Sequence, residues 1–448
     1  MDYQEALQYI SSVNWKGCVP GLERITKLLE KLGNPQDSLK FVHIGGTNGK
    51  GSTAAFVSNI LRQAGYKTGL FISPYIEVFN ERMQINNRNI SDEELAQITT
   101  EIRPFADEME DAPTEFELNT AIAMVYFRKN HCDIAVLEVG MGGEFDATNV
   151  IRSPEAAVIT AIGLDHTEYL GDTVEKIAAT KAGIIKPGCD VVLYRQDENV
   201  TQVIREKCRE MKASLYLSEP EQLTLLSADI DGQTFQSPFG NLFISLAAAY
   251  QKNNLAVALK TTEVLITRGY HITQEDIRQG LAAAKWPGRF EVLHRDPVFI
   301  VDGAHNPHGM TAAVKSLKEI LHGKRAILIF GVLADKDYEG MLRLLLPLAK
   351  KIFCVSPDSQ RALKADALAE TIRKLFRTMA GREEACVEDD PGQIPEVRPF
   401  AGVGDAIDAA FAAASEKDVI CALGSLYMIG DIKSYMARYQ KEKDDETH

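Results

Sequence analysis

The chain has no closely spaced cysteines. Its seven, Cys18, Cys132, Cys189, Cys208, Cys354, Cys386 and Cys421, are scattered without a CxxC or CxH pair. An odd, unspaced set fits reduced thiols and speaks against both a disulfide framework and a thiolate metal site. Long apolar runs are lacking too, and none is long enough to span a bilayer. The opening Met1-Asp2-Tyr3-Gln4-Glu5 is acidic, where a secretory leader needs an apolar stretch. The expectation is a cytoplasmic protein without a membrane partner. Positive charge is in deficit, with 49 Lys and Arg against 63 Asp and Glu. The resulting net charge of −14 argues against nucleic-acid binding. It leaves room for an anionic small substrate, which a local cluster of Lys and Arg can hold. No fixed-period repeat is present, which excludes solenoid and propeller architectures.

What is present is a glycine-rich loop. Residues 45–53 read Gly-Gly-Thr-Asn-Gly-Lys-Gly-Ser-Thr, after the apolar run Phe41-Val42-His43-Ile44 and before a helical pattern from Ala54 to Ala64. Strand, glycine-rich turn, helix is the order that aims backbone N–H groups and one lysine at a phosphate. The strict Walker pattern needs glycine where Ile44 stands and a hydroxyl where Gly51 stands. Here the hydroxyl comes from Ser52 or Thr53. The reading is a nucleoside triphosphate site.

At 448 residues the chain is long for one core, so two domains are expected. Strand patterns at Phe41–Ile44, Thr68–Ser73, Ile134–Val139, Ala156–Thr160 and Val191–Tyr194 alternate with helical ones at Ser52–Ala64, Ser91–Glu110, Glu115–Lys129 and Thr173–Ile185. Ser91-Asp92-Glu93-Glu94 is a capping-box start. Such alternation predicts a mostly parallel sheet with helices on both faces. Leu223–Ile230, Gln233–Ser237 and Asn241–Ser245 predict a small antiparallel excursion turning at Asp231-Gly232. Helices follow over about Leu246–Arg268 and Thr273–Ala284. After the turn-rich Trp286-Pro287-Gly288-Arg289-Phe290, alternation restarts with strands Val298–Asp302, Ala326–Gly331, Ile352–Ser356 and Val419–Leu423. The fold class is α/β: a P-loop ATPase-like doubly wound domain with an antiparallel excursion over 1–288, and a smaller Rossmann-like domain over 289–448. The second domain has Asp302-Gly303-Ala304-His305-Asn306-Pro307 after its first strand and no GxGxxG, so a dinucleotide site is not expected there.

Polar residues stand where parallel strands end, the place where open α/β sheets bind ligands. Ser73 precedes Pro74. Glu138 interrupts the apolar Ile134–Val139, where a charge is costly unless paired or metal-bound. Gly140-Met141-Gly142-Gly143 follows and lets backbone approach a phosphate. Asp165-His166 follows Val158–Ile162. Ser73, Glu138 and His166 suit a hard cation beside ATP phosphates. Each also has a plainer reading: a turn hydroxyl, a buried ion pair and a loop histidine.

These motifs together resemble the folylpolyglutamate synthases, often also dihydrofolate synthases, of the Mur ligase family. The resemblance covers nearly the whole chain. It rests on Pro20-Gly21-Leu22-Glu23-Arg24-Ile25, the Gly46–Ser52 loop, Ser73-Pro74, Leu137–Gly143 with Asp146-Ala147-Thr148-Asn149, and Leu164-Asp165-His166-Thr167. Lys181-Ala182-Gly183-Ile184, Pro287-Gly288-Arg289-Phe290-Glu291, Asp302–Pro307 and Gly424-Ser425-Leu426-Tyr427 complete it.

The resemblance implies ATP held by Thr47, Asn48, Gly49, Lys50, Gly51, Ser52, Asn254, Arg289 and Asp302. It implies one Mg²⁺ on Ser73 and Glu138 and a second on His166, with K⁺ admitted as a further cation. Lys181 is similar to a lysine that the family carbamylates with CO₂. His305, with Lys50 and Lys181, belongs to the implied catalytic set. Folate or dihydropteroate is expected on Tyr75, Phe79, Arg82 and Phe116. L-glutamate is expected near His305 and Ser425. Tyr75-Ile76 departs from the Ser-Pro-His-Leu form common among enzymes that also use dihydropteroate.

The implied reaction activates a carboxylate as an acyl phosphate, which the amine of glutamate then attacks, with the two domains shutting water out. The family is often monomeric. Two other readings are weaker: a Mur-type ligase for another acyl acceptor, and a non-catalytic ATP-binding protein.

Overall fold

The computed structural model describes residues 1–13, 20–380 and 395–446. Cys18 and Cys386 lie outside the described residues. Two compact units emerge. The first comprises residues 1–227, 234–245 and 251–285, and the second 228–233, 246–250 and 286–448.

Among the described residues the first unit is built on an eight-stranded sheet. Its strands are β1 (Phe41–Gly45), β2 (Thr68–Phe71), β3 (Met83–Ile85), β4 (Arg88–Asn89), β5 (Ile134–Glu138), β6 (Ala156–Ile159), β7 (Asp190–Leu193) and β8 (Ser214–Leu217). Their order is β4-β3-β2-β5-β1-β6-β7-β8. All neighbours from β2 to β8 are parallel, and β3 and β4 add an antiparallel edge. β1 and β5 are buried along their whole length, which is why they read as unbroken apolar runs rather than alternating ones. Parallel neighbours need long crossovers. Helices supply most of them: α3 (Lys50–Gln63) between β1 and β2, α4 (Asp92–Asp107) and α5 (Glu115–Lys129) before β5, α6 (Thr167–Leu170) and α7 (Val174–Lys181) between β6 and β7, and α8 (Glu198–Met211) between β7 and β8, while α1 (Tyr3–Ser12) and α2 (Glu23–Lys31) precede the sheet and α9 (Gln251–Thr267) and α10 (Gln274–Ala283) follow it. Ser91 with Glu94, and Thr114 with Glu117, close capping boxes that start α4 and α5.

A three-stranded sheet follows, β9 (Thr224–Asp229), β10 (Gly232–Ser237) and β11 (Gly240–Ile244), in meander order. Its first turn is Ile230-Asp231, one residue earlier than Asp231-Gly232. The Asp229 carboxylate causes the slip by accepting from the N–H groups of Asp231 and Gly232. The helix expected from Leu246 starts instead at Gln251. The backbone of 246–250 is already committed: Gln233 Nε2 donates to the carbonyls of Leu246 and Ala248, and Ala249 N donates to Ser316 Oγ. Those groups cannot also serve a helical turn.

The second unit carries β12 (Glu291–Arg295), β13 (Val298–Asp302), β14 (Ala326–Phe330), β15 (Ala349–Cys354), β16 (Glu396–Pro399) and β17 (Val419–Leu423), in the order β12-β13-β17-β14-β15-β16. Only β12 runs antiparallel. Around the sheet stand α11 (Pro307–Leu321), α12 (Tyr338–Leu345), α13 (Ala365–Ala380), α14 (Val403–Ala413) and α15 (Ile429–Glu446). No described helix is long and apolar enough to cross a membrane. The five described cysteines are free and buried.

Helix α10 meets α3 at Gly280. A Cβ there would lie 2.6 Å from Ile60 Cα and 2.8 Å from Ile60 N, and backbone atoms cannot rotate away. Gly280→Ala gains about 1 kcal/mol of helix propensity but forces overpacking worth roughly 1–3 kcal/mol. The urea midpoint should fall at unchanged m value. A rise would show that the two helices separate freely.

Candidate active site

The glycine-rich loop leaves the C-terminal end of β1 and enters α3 at Lys50. It is stitched to the segment after β6. Thr47 N and Asn48 N donate to the Ala161 carbonyl at 2.8 and 3.2 Å, and Thr47 Oγ1 donates to Gly163 O at 3.1 Å. Gly49 caps α3 in a left-handed conformation at φ +89°, and a Cβ there would collide with Asn254 Oδ1. Asn254 is therefore the asparagine that faces the loop. Its neighbour Asn253 turns to the Tyr194 hydroxyl. Asn254 Nδ2 donates to Gln251 Oε1 at 2.9 Å, and Gln251 Nε2 donates to Ser52 Oγ at 3.2 Å. Ser52 and Thr53 are both buried, and Thr53 Oγ1 makes no hydrogen bond in the structure. Gly51 is buried at the start of α3.

Lys50 and Glu138 come together at the loop. Lys50 Nζ lies 3.2 Å from Thr47 O and 4.0 Å from Glu138 Oε1. Ser73 N donates to Glu138 Oε2 at 3.3 Å. β1, β2 and β5 thus deliver the loop, Ser73 and Glu138 to one end of the sheet. Ser73 and the buried Glu138 bring the oxygen donors that a hard cation such as Mg²⁺ takes. His166 follows β6 at the entrance to α6. It caps the four-residue α6, half exposed, with Nε2 3.9 Å from Asp165 Oδ1. Among the described residues no cluster of three His, Cys, Asp or Glu side chains has metal-holding geometry.

Lys181, at the last turn of α7, is 4% exposed and donates to the Gly46 carbonyl at 2.8 Å. It is not a solvated helix lysine. Burial, and then the nearby charge of Lys50, push its amine down from 10.5 to about 7. The glycines of 140–143 also serve packing. A Cβ on Gly140 would strike the Phe116 ring, and one on Gly143 would strike the carbonyls of Thr180 and Lys181. Their smallness lets α5 and α7 close in. Asp146 holds this loop by accepting from Met141 N at 2.9 Å, from Thr148 N at 3.0 Å and from Thr148 Oγ1 at 2.5 Å. Thr148 Oγ1 in turn meets His43 Nε2 at 2.8 Å. Since the Thr148 proton goes to Asp146, the His43 nitrogen is the donor. Burial drives His43 down to about 3, so the ring is neutral.

Beyond β2, Tyr75 and Phe79 meet edge to face at 5.9 Å. The Arg82 guanidinium lies 5.2 and 5.5 Å from their ring centres and 3.9 Å from Glu115. Phe116 packs on Phe71 at 5.8 Å instead. Nearby, Arg24 donates through Nε to both Glu117 oxygens at 3.2 and 3.0 Å, which ties α2 to the start of α5.

In the second unit, Asp302 and Ser425 stand at the ends of the parallel neighbours β13 and β17, with His305 in the loop after β13. Asp302 is buried and accepts from Tyr250 Oη at 2.8 Å, Phe290 N at 2.9 Å and Ala304 N at 2.8 Å. Burial raises its carboxyl, and the charge of Arg289 opposes the rise. Both oxygens are thus engaged within their own unit. His305 Nδ1 bonds to Gly303 O at 2.8 Å. Ser425 Oγ accepts from Tyr427 N at 3.2 Å.

A model of the Mur ligase middle domain matches residues 44–262, and one of the Mur ligase glutamate ligase domain matches 288–426. The dihydrofolate synthase/folylpolyglutamate synthase of Bacillus subtilis (strain 168) is 34% identical over 444 residues, 96% of this chain and 98% of that one. The chain belongs to the folylpolyglutamate synthase/dihydrofolate synthase family of Mur ligases. The fold agrees. Mycobacterium tuberculosis folylpolyglutamate synthase complexed with ADP and AMPPCP superposes with a TM-score of 0.83 at 31% identity, over 97% of this chain and 99% of that one. E. coli FolC in complex with DHPP and ADP gives 0.82 at 27%, over 98% and 99%.

For a folylpolyglutamate synthase family member, the sequence reading missed Gln251 and Tyr250. Both are visible afterwards as polar residues just before Asn254, Gln251 one helical turn away. Arg24, in the Pro20–Ile25 motif, and Glu81 carried no assigned role.

Alanine at Gly49 would need a left-handed conformation costing about 1–3 kcal/mol as well as room that Asn254 fills. Gly49→Ala should raise the Kd of a non-hydrolysable ATP analogue roughly tenfold, read by calorimetric titration. Lys181 makes a second prediction. Its folded value is below the unfolded one, so from pH 7 to 10.5 the unfolded chain binds more protons and the contribution of this lysine to stability rises with pH. It is least favourable below pH 7. Lys181→Met should therefore gain stability relative to the unsubstituted protein as pH falls from 9 to 6. A pH-independent gap in melting temperature would refute the buried neutral amine.

Proposed function

We propose that this chain uses ATP to join L-glutamate to the γ-carboxylate of a reduced folate, and also converts dihydropteroate to dihydrofolate. The observation that carries the reading is the meeting of Lys50, Ser73 and Glu138 at the phosphate loop, in a chain similar along 96% of its length to a bifunctional enzyme of that name. Residues 1–288 serve as the ATP and folate part and 289–448 as the glutamate part. The matched family models, 44–262 and 288–426, support that division.

A carboxylate cannot expel oxide, so its oxygen first attacks the γ-phosphorus of ATP. The bond to the β,γ-bridging oxygen breaks, giving an acyl phosphate and ADP. The loop amides of Thr47–Ser52 and the Lys50 ammonium hold the phosphates and offset charge on the transferring group. Asn254 and Arg289 complete the ATP contacts, and Asp302 acts by fixing the Arg289-Phe290 turn. Mg²⁺ on Ser73 and Glu138, and a second ion near His166, would supply further charge neutralisation. The glutamate amine, bound near His305 and Ser425, then attacks the acyl carbon. The tetrahedral adduct expels inorganic phosphate and the nitrogen loses a proton. Tyr75, Phe79, Arg82 and Phe116 form the folate side, with Arg82 facing a carboxylate.

A lysine near pKa 7 is largely neutral at physiological pH and nucleophilic towards CO₂. Lys181 Nζ would bond to the carbon and release a proton, replacing a neutral amine by an anion whose charge Lys50 offsets. Carbamylation should show as a ¹³C carbonyl signal after equilibration with labelled bicarbonate. That signal should fade as pH drops below 7 and be missing from Lys181→Met. The K⁺ reading rests on the resemblance alone. The protein is taken to work as a cytoplasmic monomer.

The test of the reaction is phosphate release and product mass with ATP, Mg²⁺ and glutamate, with dihydropteroate and tetrahydrofolate in separate tubes. Release should require a pteroate or folate, and the product should gain one glutamyl unit. Oxygen-18 from the acceptor carboxylate should appear in phosphate. Phosphate release indifferent to every folate and pteroate would overturn the proposal.

A further inference from the structure

The loop between β2 and β3 has little regular structure, yet its two aromatic residues are held as a pair. Phe79 is anchored. It packs on the core of the first unit, and the next residue, Asn80, accepts from the Tyr3 hydroxyl at 2.7 Å and donates to Ile90 O at 2.8 Å and Asp92 Oδ1 at 2.9 Å. Tyr75 is 40% exposed and lacks such backing in the core. Its place relative to Phe79 depends on residues 76–78 between them.

All three of those residues are tied to one side chain. Glu81 Oε2 accepts from Ile76 N at 2.8 Å, and Oε1 accepts from Glu77 N and Val78 N, each at 3.0 Å. Glu81 N returns a bond to the Val78 carbonyl at 3.0 Å, so the turn closes on itself. Three successive N–H groups converging on a carboxylate make charge-assisted bonds, and they remove the torsional freedom of the only link between the rings. The Arg82 guanidinium sits beside both rings, next in sequence to the residue that fixes them.

The geometry points to Glu81 as the positioning residue of the acceptor site: its carboxylate sets the Tyr75–Arg82–Phe79 box before the pterin-bearing substrate arrives. The inference rests on the folate reading above. Glu81 does not touch the substrate. It acts by sparing the substrate the ordering of the loop, which is an affinity effect rather than an effect on phosphoryl transfer.

The experiment uses the full chain with Glu81→Ala and Glu81→Gln. Glutamine keeps one acceptor oxygen and turns an NH₂ towards a backbone donor, so it should fall between alanine and glutamate. The KM for tetrahydrofolate should rise about tenfold in Glu81→Ala and about threefold in Glu81→Gln, with kcat and the KM for ATP within about twofold. Hydrogen exchange without substrate should show slow amides at 76–78 in the unsubstituted protein and fast ones in Glu81→Ala, with other segments unchanged. An unchanged folate KM, an equal rise in both KM values, or amides that stay protected in Glu81→Ala would overturn the assignment. If the unsubstituted protein ignores folates altogether, the functional reading fails instead, and the exchange result still decides whether Glu81 holds the loop.

Discussion

Two amines meet at the end of the central strands, and the burial of one of them governs the site. Lys50 and Lys181 both approach the Gly46–Lys50 loop, through the Thr47 and Gly46 carbonyls; Glu138 lies 4.0 Å from Lys50, and Asp146 and Asp165 add negative charge near Lys181. Burial disfavours a charged amine and the Lys50 charge adds to the effect, and Lys181 is the one that yields. The Lys50 ammonium that remains charged favours an anion at the loop. A triphosphate meets that requirement, and the amides at the start of α3 add to the same potential.

Support for this arrangement comes from the polar side chains around it. Gln251 and Asn254 brace Ser52 and crowd Gly49. Asp146, with Thr148 and a neutral His43 behind it, pins the Gly140–Gly143 turn. In the second unit Tyr250 and two backbone amides saturate Asp302. Buried polar groups of this kind are favourable only when satisfied, and here their satisfaction fixes backbone shape at strand ends.

Much of the fold was legible because β1, β5, β13 and β17 are buried on both faces and read as apolar blocks. Elements with weak patterns were not. β4 is two exposed residues, and β8 alternates between exposed and half-buried positions at a sheet edge. The early start assigned to α9 shows the limit of local propensity: Leu246–Tyr250 suits a helix, but Gln233 and Ser316, distant in sequence, claim its backbone. In the site, residue types at strand ends pointed to Lys50, Ser73 and Glu138. What sequence could not supply was burial, which separates Lys181 from an ordinary helix lysine. Nor could it show that Ser425 caps a turn and that Asp302 has both oxygens engaged at home.

The thiols carry a practical corollary. Cys132, Cys208 and Cys354 are driven up to about 12 by burial, and Cys189 and Cys421 are raised as well. Thiolate is the reactive form, so these five sulfurs are shielded twice, by inaccessibility and by protonation. An alkylating reagent can mark them only when the surrounding core opens, which turns five inert atoms into a built-in stopwatch for unfolding, with reporters in both compact units.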